Sequence, residues 1–300
     1  MKVFVTGATG MIGAPVARAF RRAGHDVLGL VRSDANARRL SAREIRPVRG
    51  SLEEPETFAG AAAGCDVLVH AAADAGSAMF PLDRAAIETL LDAAKRGPQP
   101  KTLVYTSGTW IYGDTGGRAA DETAPLIPPA YAADRVLHER RVLEADGVRG
   151  LVLRPGCVYG GPGSLTAMWF EGAVNGQLEI VGDGSARWAM VHRDDLADAY
   201  VRAAASGLSG EVFNVSETAG RTVVEMAGAV AAATGYDGEI RRLPVPEAVA
   251  RFGAFAECLA YDQRLDSSKA ERLLGWRPRR RGFVEDAGVF FEAWRASRKA

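Results

Sequence analysis

The opening residues constrain the fold more tightly than any other stretch. Val3-Phe4-Val5-Thr6 is a β-branched and aromatic run, and Gly7, Gly10 and Gly13 follow it in the spacing Gly-x-x-Gly-x-x-Gly. An apolar-periodic helix through Val16, Ala17, Ala19 and Phe20 comes next. Strand, tight turn and helix in that order make a dinucleotide-binding unit. The glycines let the backbone turn sharply and approach a pyrophosphate, while the helix N-terminus directs free N–H groups and partial positive charge at the anion. The competing reading is a glycine-rich turn with no ligand.

The pattern then repeats. Asp26 to Val31, Ile45 to Arg49, Val67 to His70 and Thr102 to Thr106 read as buried strands. Helices are expected after the first glycine turn, from Pro55 to Ala63 and from Leu82 to Arg96, the last with an apolar stripe at Ile87, Leu90, Leu91 and Ala94. Alternating strands and helices predict a doubly wound parallel sheet covered on both faces, with its working crevice beyond the strand carboxyl ends. Beyond Arg154 the alternation fails and Pro, Gly and aromatics become dense. The predicted division is a nucleotide-binding domain over 1–154 and a smaller α/β substrate region over 155–300, with segments near 191–215 returning to the first.

The end of the second strand bears on the cofactor. A ribose 2′-hydroxyl is usually held by a carboxylate there, whereas a 2′-phosphate needs a cation. Here the chain reads Val31-Arg32-Ser33, so Arg32 as a bidentate partner and Ser33 as a donor favour NADP(H), with NAD(H) the alternative. Small residues at Ala71, Ala72 and Ala73 leave room for a dinucleotide across the strand ends. After the fifth strand comes a cluster of hydroxyls, Ser107-Gly108-Thr109-Trp110-Ile111-Tyr112. Pro128-Pro129 then opens a helix in which Tyr131 and Arg135, at i and i+4, share a face. A tyrosine beside a fixed positive charge can exchange a proton with a substrate oxygen while hydride moves to or from the cofactor.

Balanced charge, with Lys plus Arg and Asp plus Glu at 37 each, provides no net field for nucleic acid or an anionic membrane surface. Cys65, Cys157 and Cys258 are too few and scattered for a disulfide framework or metal cluster, which fits a reducing compartment. The start of the chain does not read as a leader peptide and no long apolar run occurs, so the expectation is a soluble cytoplasmic protein without a metal.

These residues together resemble the extended branch of the short-chain dehydrogenase/reductase superfamily, the group of NAD-dependent epimerases and dehydratases and dihydroflavonol-reductase-like enzymes. The matching motifs are Thr6 to Gly13, Tyr112-Gly113, the Tyr131 helix, Arg154-Pro155-Gly156-Cys157-Val158-Tyr159-Gly160, Val191 to Asp198, and Leu265 to Ala270 leading to Leu274-Gly275-Trp276-Arg277-Pro278. The resemblance implies a Rossmann-type fold and a cofactor site built from Gly7, Thr9, Gly10, Met11, Ile12, Gly13, Arg32, Ser33, Ser51, Leu52, Ala71, Ala72, Ala73, Thr106, Tyr131, Arg135, Pro155, Gly156 and Val158. It also implies a Tyr-x-x-x-Lys pair and a Ser or Thr four residues before the tyrosine of Tyr-Gly. The chain departs at both points: Arg135 replaces the lysine and Gly108 the hydroxyl, leaving Thr109, the preferred substitute, or Ser107 to orient a substrate oxygen. Trp110, Tyr159 and Arg187 are the expected substrate contacts, Arg187 matching a diphosphate-binding arginine of nucleotide-sugar enzymes. Ala254 to Ala260, after Pro244-Val245-Pro246, reads instead as an amphipathic helix similar to the reductase-like relatives. A homodimer through the helices beginning near Leu82 and Tyr131 is also implied. Three readings follow: an NADPH-dependent oxidoreductase on a small organic or sugar-like carbonyl or hydroxyl, a nucleotide-sugar epimerase or dehydratase that retains NAD(P), and a dinucleotide-sensing protein without catalysis.

Overall fold

In the computed structural model, which describes residues 1–73, 79–218 and 220–298, seven parallel strands form the central sheet. They are β1 (Lys2–Thr6), β2 (Asp26–Val31), β3 (Arg46–Arg49), β4 (Val67–His70), β5 (Lys101–Thr106), β6 (Val148–Pro155) and β7 (Glu211–Val215). Their spatial order is β7-β6-β5-β4-β1-β2-β3, so the winding reverses between β1 and β4. That reversal opens a crevice at the strand carboxyl ends, where ligands bind in open α/β sheets.

Side-chain alternation divides each strand between two cores. Val3 and Val5 of β1 enter one buried cluster with Val16, Phe20, Leu196 and Tyr200. Phe4 enters the other with Phe58, Leu68, Ile87, Leu90 and Leu103. Burying each such aliphatic or aromatic side chain contributes about 1.5–3 kcal/mol. Around the sheet lie α1 (Gly13–Arg22), α2 (Asp34–Ser41), α3 (Glu56–Ala63), α4 (Met79–Ala94), α5 (Ala133–Leu143), α6 (Ala167–Val174), α7 (Arg193–Ala205), α8 (Val223–Thr234), α9 (Val245–Phe252), α10 (Ser268–Leu274) and α11 (Ala287–Ser297). Helix α7 packs on α1, and the indole N–H of Trp276 donates to the Asp195 carbonyl at 2.8 Å, tying the tail to that face. A third core joins Trp169 and Trp188, stacked with centroids 5.1 Å apart, to Phe170, Phe283 and Trp294.

Two local expectations are corrected. The helix expected at Ala254–Ala260 is a 3-10 stretch, because Gly253, at φ 91°, breaks the run after α9 and redirects the chain. Tyr131 stands on a 3-10 lead-in over Ala130–Ala132, and α5 starts two residues later. No helix among the described residues is long and apolar enough to cross a membrane, and they hold no cluster of His, Cys, Asp and Glu suited to a metal.

Candidate active site

The cleft at the strand ends has two halves that meet at Ile12. The first, about 330 Å³, is lined by Gly7, Thr9, Gly10, Met11, Ile12, Arg32, Ser51, Leu52, Ala71, Ala72 and Ala73, all expected there, and by Asn36 and Glu53. The glycine turn is too close-packed for side chains. A Cβ on Gly7, at φ 66°, would lie 2.6 Å from the Ala71 carbonyl oxygen, and one on Gly13 would lie 2.2 Å from that of Gly7. Helix α1 follows with no side-chain cap and no acidic residue in its first turn, leaving its N–H groups suited to an anion. These features fit a dinucleotide pyrophosphate. Gly13 and Ser33 do not line the cleft: Gly13 serves the turn, and Ser33 caps α2, its Oγ accepting from the Asn36 N–H at 3.3 Å. Asn36 takes the place beside Arg32, while Asp34 is drawn toward Arg49 at 3.7 Å.

The second half, about 280 Å³, gathers Ser107, Thr109, Trp110, Tyr131, Arg135, Pro155, Gly156 and Val158, again as expected, with Cys157 and Leu165. Tyr131 lies among aromatics, its ring centroid 6.0 Å from Trp110, 6.3 Å from Phe255 and 6.4 Å from Phe80. Burial raises the phenol pKa above its ordinary value, and the Arg135 charge only partly opposes that rise. Tyr131 is therefore a phenol, a proton donor, at neutral pH, with Arg135 favouring the phenolate less than burial disfavours it. Arg135 is itself anchored, its Nη1 donating to the Thr106 carbonyl at 3.2 Å and the Tyr105 hydroxyl at 3.4 Å.

The flanking hydroxyls are not equivalent. Thr109 Oγ1 donates to Gln263 Oε1 at 3.3 Å and its carbonyl accepts from Gln263 Nε2 at 3.0 Å. Ser107 Oγ is buried without a partner. Ser107 thus displaces Thr109 as the available hydroxyl. A Cβ on Gly108 would meet nothing within 4 Å, so the glycine leaves open space where the family pattern carries a hydroxyl. Thr106 lines neither half, since its Oγ1 donates to the His70 carbonyl at 2.6 Å and lies 2.5 Å from the Tyr200 hydroxyl. Tyr159 is fully buried, its hydroxyl donating to Glu217 at 3.0 Å, and Arg187 faces Asp262 at 3.6 Å away from Tyr131's cleft. Of the three expected substrate contacts, Trp110 lines that cleft and Tyr159 and Arg187 do not.

A buried charge cluster underlies both halves. Asp83 Oδ1 lies 2.9 Å from His70 Nε2, and Oδ2 lies 2.7 Å from His138 Nδ1 and accepts from the Tyr105 hydroxyl at 2.7 Å. Burial opposes the Asp83 charge, but hydrogen bonds from His138, His70 and Tyr105 outweigh it and hold the carboxyl well below the usual range. Through Tyr105 the cluster reaches Arg135. Through His70, whose Nδ1 is 2.7 Å from Thr6 Oγ1, it reaches the hydroxyl that accepts from the N–H groups of Ala71 and Ala72. A second buried network pairs Arg154 with Glu139 at 3.0 and 2.6 Å, and Arg154 also donates to the Tyr112 hydroxyl at 2.6 Å. The Tyr112 hydroxyl in turn donates to Asn214 at 2.8 Å, so the tyrosine of Tyr-Gly is a structural anchor. Asp83, His138 and Glu139 were missed in the sequence. The available signal was their register: Asp83 precedes Ile87, Leu90 and Leu91 on the apolar stripe of α4, and His138 and Glu139 precede Val142 on that of α5.

The fold and cleft define an NAD(P)-binding enzyme with a Rossmann-type sheet. The chain belongs to the NAD dependent epimerase/dehydratase family, whose model matches residues 3–216, within the extended short-chain dehydrogenase/reductase superfamily. Its similar proteins include an uncharacterized protein of Schizosaccharomyces pombe, 31% identical over 93% of this chain and 95% of that one. Another is the 4-hydroxy-2-methyl-3-oxo-4-farnesyl-3,4-dihydroquinoline-1-oxide ketoreductase of Stigmatella aurantiaca, 31% identical over 73% of this chain and 69% of its own. Among solved structures, the UDP-glucose 4-epimerase of Thermus thermophilus in complex with NAD aligns at TM-score 0.82 and 25% identity, over 99% of this chain and 100% of that one.

Proposed function

We propose that the protein is an NADPH-dependent oxidoreductase that reduces a carbonyl on a small, largely apolar organic substrate. The observation that carries this reading is the environment of Tyr131, a protonated phenol held among Trp110, Phe255 and Phe80 and beside the unpartnered Ser107 hydroxyl's cleft wall. Apolar walls with a few convergent polar groups suit a ketone or aldehyde. Arg135 is the cation lining this half, and Arg187, the residue suited to a diphosphate, faces Asp262 instead. Preference for the phosphorylated cofactor is supported by Arg32 on the cleft wall and by Asp34 facing Arg49.

When bound, the cofactor supplies the hydride. Tyr131 donates a proton to the substrate oxygen as charge develops there, and Ser107 Oγ donates a hydrogen bond that orients the same oxygen. Arg135 lowers the cost of the phenolate left behind and offers its remaining N–H groups to cofactor hydroxyls. Trp110, Val158 and Leu165 give the cleft apolar walls.

The test is tryptophan-fluorescence titration of ligand-stripped protein with NADPH, NADP, NADH and NAD, followed by a carbonyl-substrate screen read at the nicotinamide absorbance band. Tighter binding of the phosphorylated pair and carbonyl-dependent oxidation of NADPH are expected. Tyr131→Phe should lower turnover by about 10²-fold or more while sparing cofactor affinity. Preference for NAD with tight binding of a nucleoside diphosphate would replace this reading with an epimerase or dehydratase.

A further inference from the structure

Thr9, Gly10 and Met11 also line a second cleft, about 500 Å³, larger than either half of the first. Its other walls carry Arg18 from α1, Arg39 from α2, Arg43 just beyond α2, and Arg193 at the start of α7. No carboxylate lines it among the described residues. Asp194, outside the lining, stands 4.0 Å from Arg18 Nη2 and is shared with Arg280 at 3.1 Å. Arg18 Nε and Arg193 Nε are buried without a hydrogen-bond partner. Burial and the neighbouring charges of Arg193 and Arg43 push the Arg18 pKa down, with Asp194 opposing them. The guanidinium of Arg193 lies against Gly161, where a Cβ would come within 1.9 Å of Nη1, so any side chain at that position would displace it.

Like charges gathered in a cleft with unpaired buried donors are costly to the empty fold and favourable to an anion. Guanidinium forks match the oxygens of a tetrahedral or planar oxyanion. The floor is apolar, formed by Ala14, Pro15, Leu40 and Ile45, and the volume exceeds what an inorganic ion fills. Arg32 and Asn36 belong to the cofactor cleft and not to this one, the two meeting along the glycine turn.

We propose that this arginine cleft is a second ligand site, for a small organic anion that sets a phosphate- or sulfonate-type head against Arg18, Arg43 and Arg193 and an apolar body on the floor. The probe is anilinonaphthalenesulfonate, which has that chemistry, added to the intact protein saturated with NADPH and followed by dye fluorescence. One dye per chain should bind with the cofactor in place, and inorganic pyrophosphate should compete with it. An Arg18→Ala/Arg193→Ala double variant should bind the dye about tenfold more weakly or worse, with NADPH affinity kept. If that pair fails to fold, Arg43→Glu, at an exposed rim position, should show the same selective loss. Competition between dye and NADPH would assign the arginines to the cofactor's own phosphate and overturn the second site. Unchanged dye binding in the arginine variants would overturn it as well.

Discussion

Replacing Asp83 with asparagine tests whether one buried charge organises the cleft. The side chain keeps its shape but loses the anion that faces His70 at 2.9 Å, His138 at 2.7 Å and the Tyr105 hydroxyl at 2.7 Å, at a position only 8% exposed. Breaking a buried charge cluster by removing one partner costs about 3–5 kcal/mol, because the groups left behind are neither solvated nor paired. Against a total stability of about 5–15 kcal/mol this is a large fraction. Urea unfolding followed by tryptophan fluorescence measures it, with and without NADPH. The pH dependence gives an independent check. The folded pKa of Asp83 is depressed, so its contribution is fully present above the unfolded carboxyl value near about 4 and is lost as pH falls below it toward the folded pKa. The gap between wild type and Asp83→Asn should therefore narrow below about pH 4. A gap under about 1 kcal/mol at pH 7, the size of an ordinary exposed ion pair, would refute the reasoning. Tyr105→Phe separates the two roles: it leaves Asp83 with its histidines but removes one of the two acceptors that hold Arg135, the Thr106 carbonyl remaining, so turnover should fall more than stability.

Other predictions follow from the same geometry. Gly108→Ser adds a hydroxyl into open space on an extended backbone that any residue adopts, so unfolding free energy should change by under about 1 kcal/mol while carbonyl turnover rises. Loss of turnover together with loss of stability would show that the glycine is needed for packing. Glu217, with Tyr159 donating to it at 3.0 Å, has its pKa raised by burial to about 7. The folded state then binds the proton more tightly than the unfolded chain, so stability is full below about pH 4.5 and declines as pH rises through about 7. Glu217→Gln should flatten that segment of the pH–stability curve, and an unaltered slope would rule Glu217 out as its source. Arg32→Ala should weaken NADPH more than NADH; equal loss for both would remove it from 2′-phosphate recognition.

What was legible in the sequence depended on how locally each feature is determined. The glycine turn, β1, β2, β4 and the stripe of α4 follow from patterns a few residues long, because backbone sterics and side-chain period act at that range. Tyr131 and Arg135 were legible for the same reason, since four residues spanning the 3-10 lead-in and the first turn of α5 bring them to one wall of the cleft. The choice between Ser107 and Thr109 was not local. It turns on Gln263, 154 residues away, which engages Thr109 at both its hydroxyl and its carbonyl and leaves Ser107 alone unpartnered. Arg187 and Tyr159 stand outside the Tyr131 cleft through partners that are also non-local, Asp262 and Glu217, 75 and 58 residues away.

Asp83 and His138 lie between these cases. Each is a titratable residue in the register of an apolar stripe, and such a residue can stay buried only if its charge is met by partners from other elements. The pattern thus announces that a network exists before its members are known. Here the members come from β4, β5, α4 and α5, the elements whose ends form the two halves of the cleft. A carboxylate that engages Tyr105 and His138 through Oδ2 and faces His70 Nε2 with Oδ1 at 2.9 Å cannot rotate toward one without leaving another, so the three side chains are held in mutual register. Thr6 and Arg135 inherit that register, one beneath the Ala71–Ala72 strand end and the other beside Tyr131. The departure from lysine to arginine at position 135 fits this arrangement, because a planar fork can donate to the Thr106 carbonyl and the Tyr105 hydroxyl through Nη1 and still present further N–H groups to the cleft.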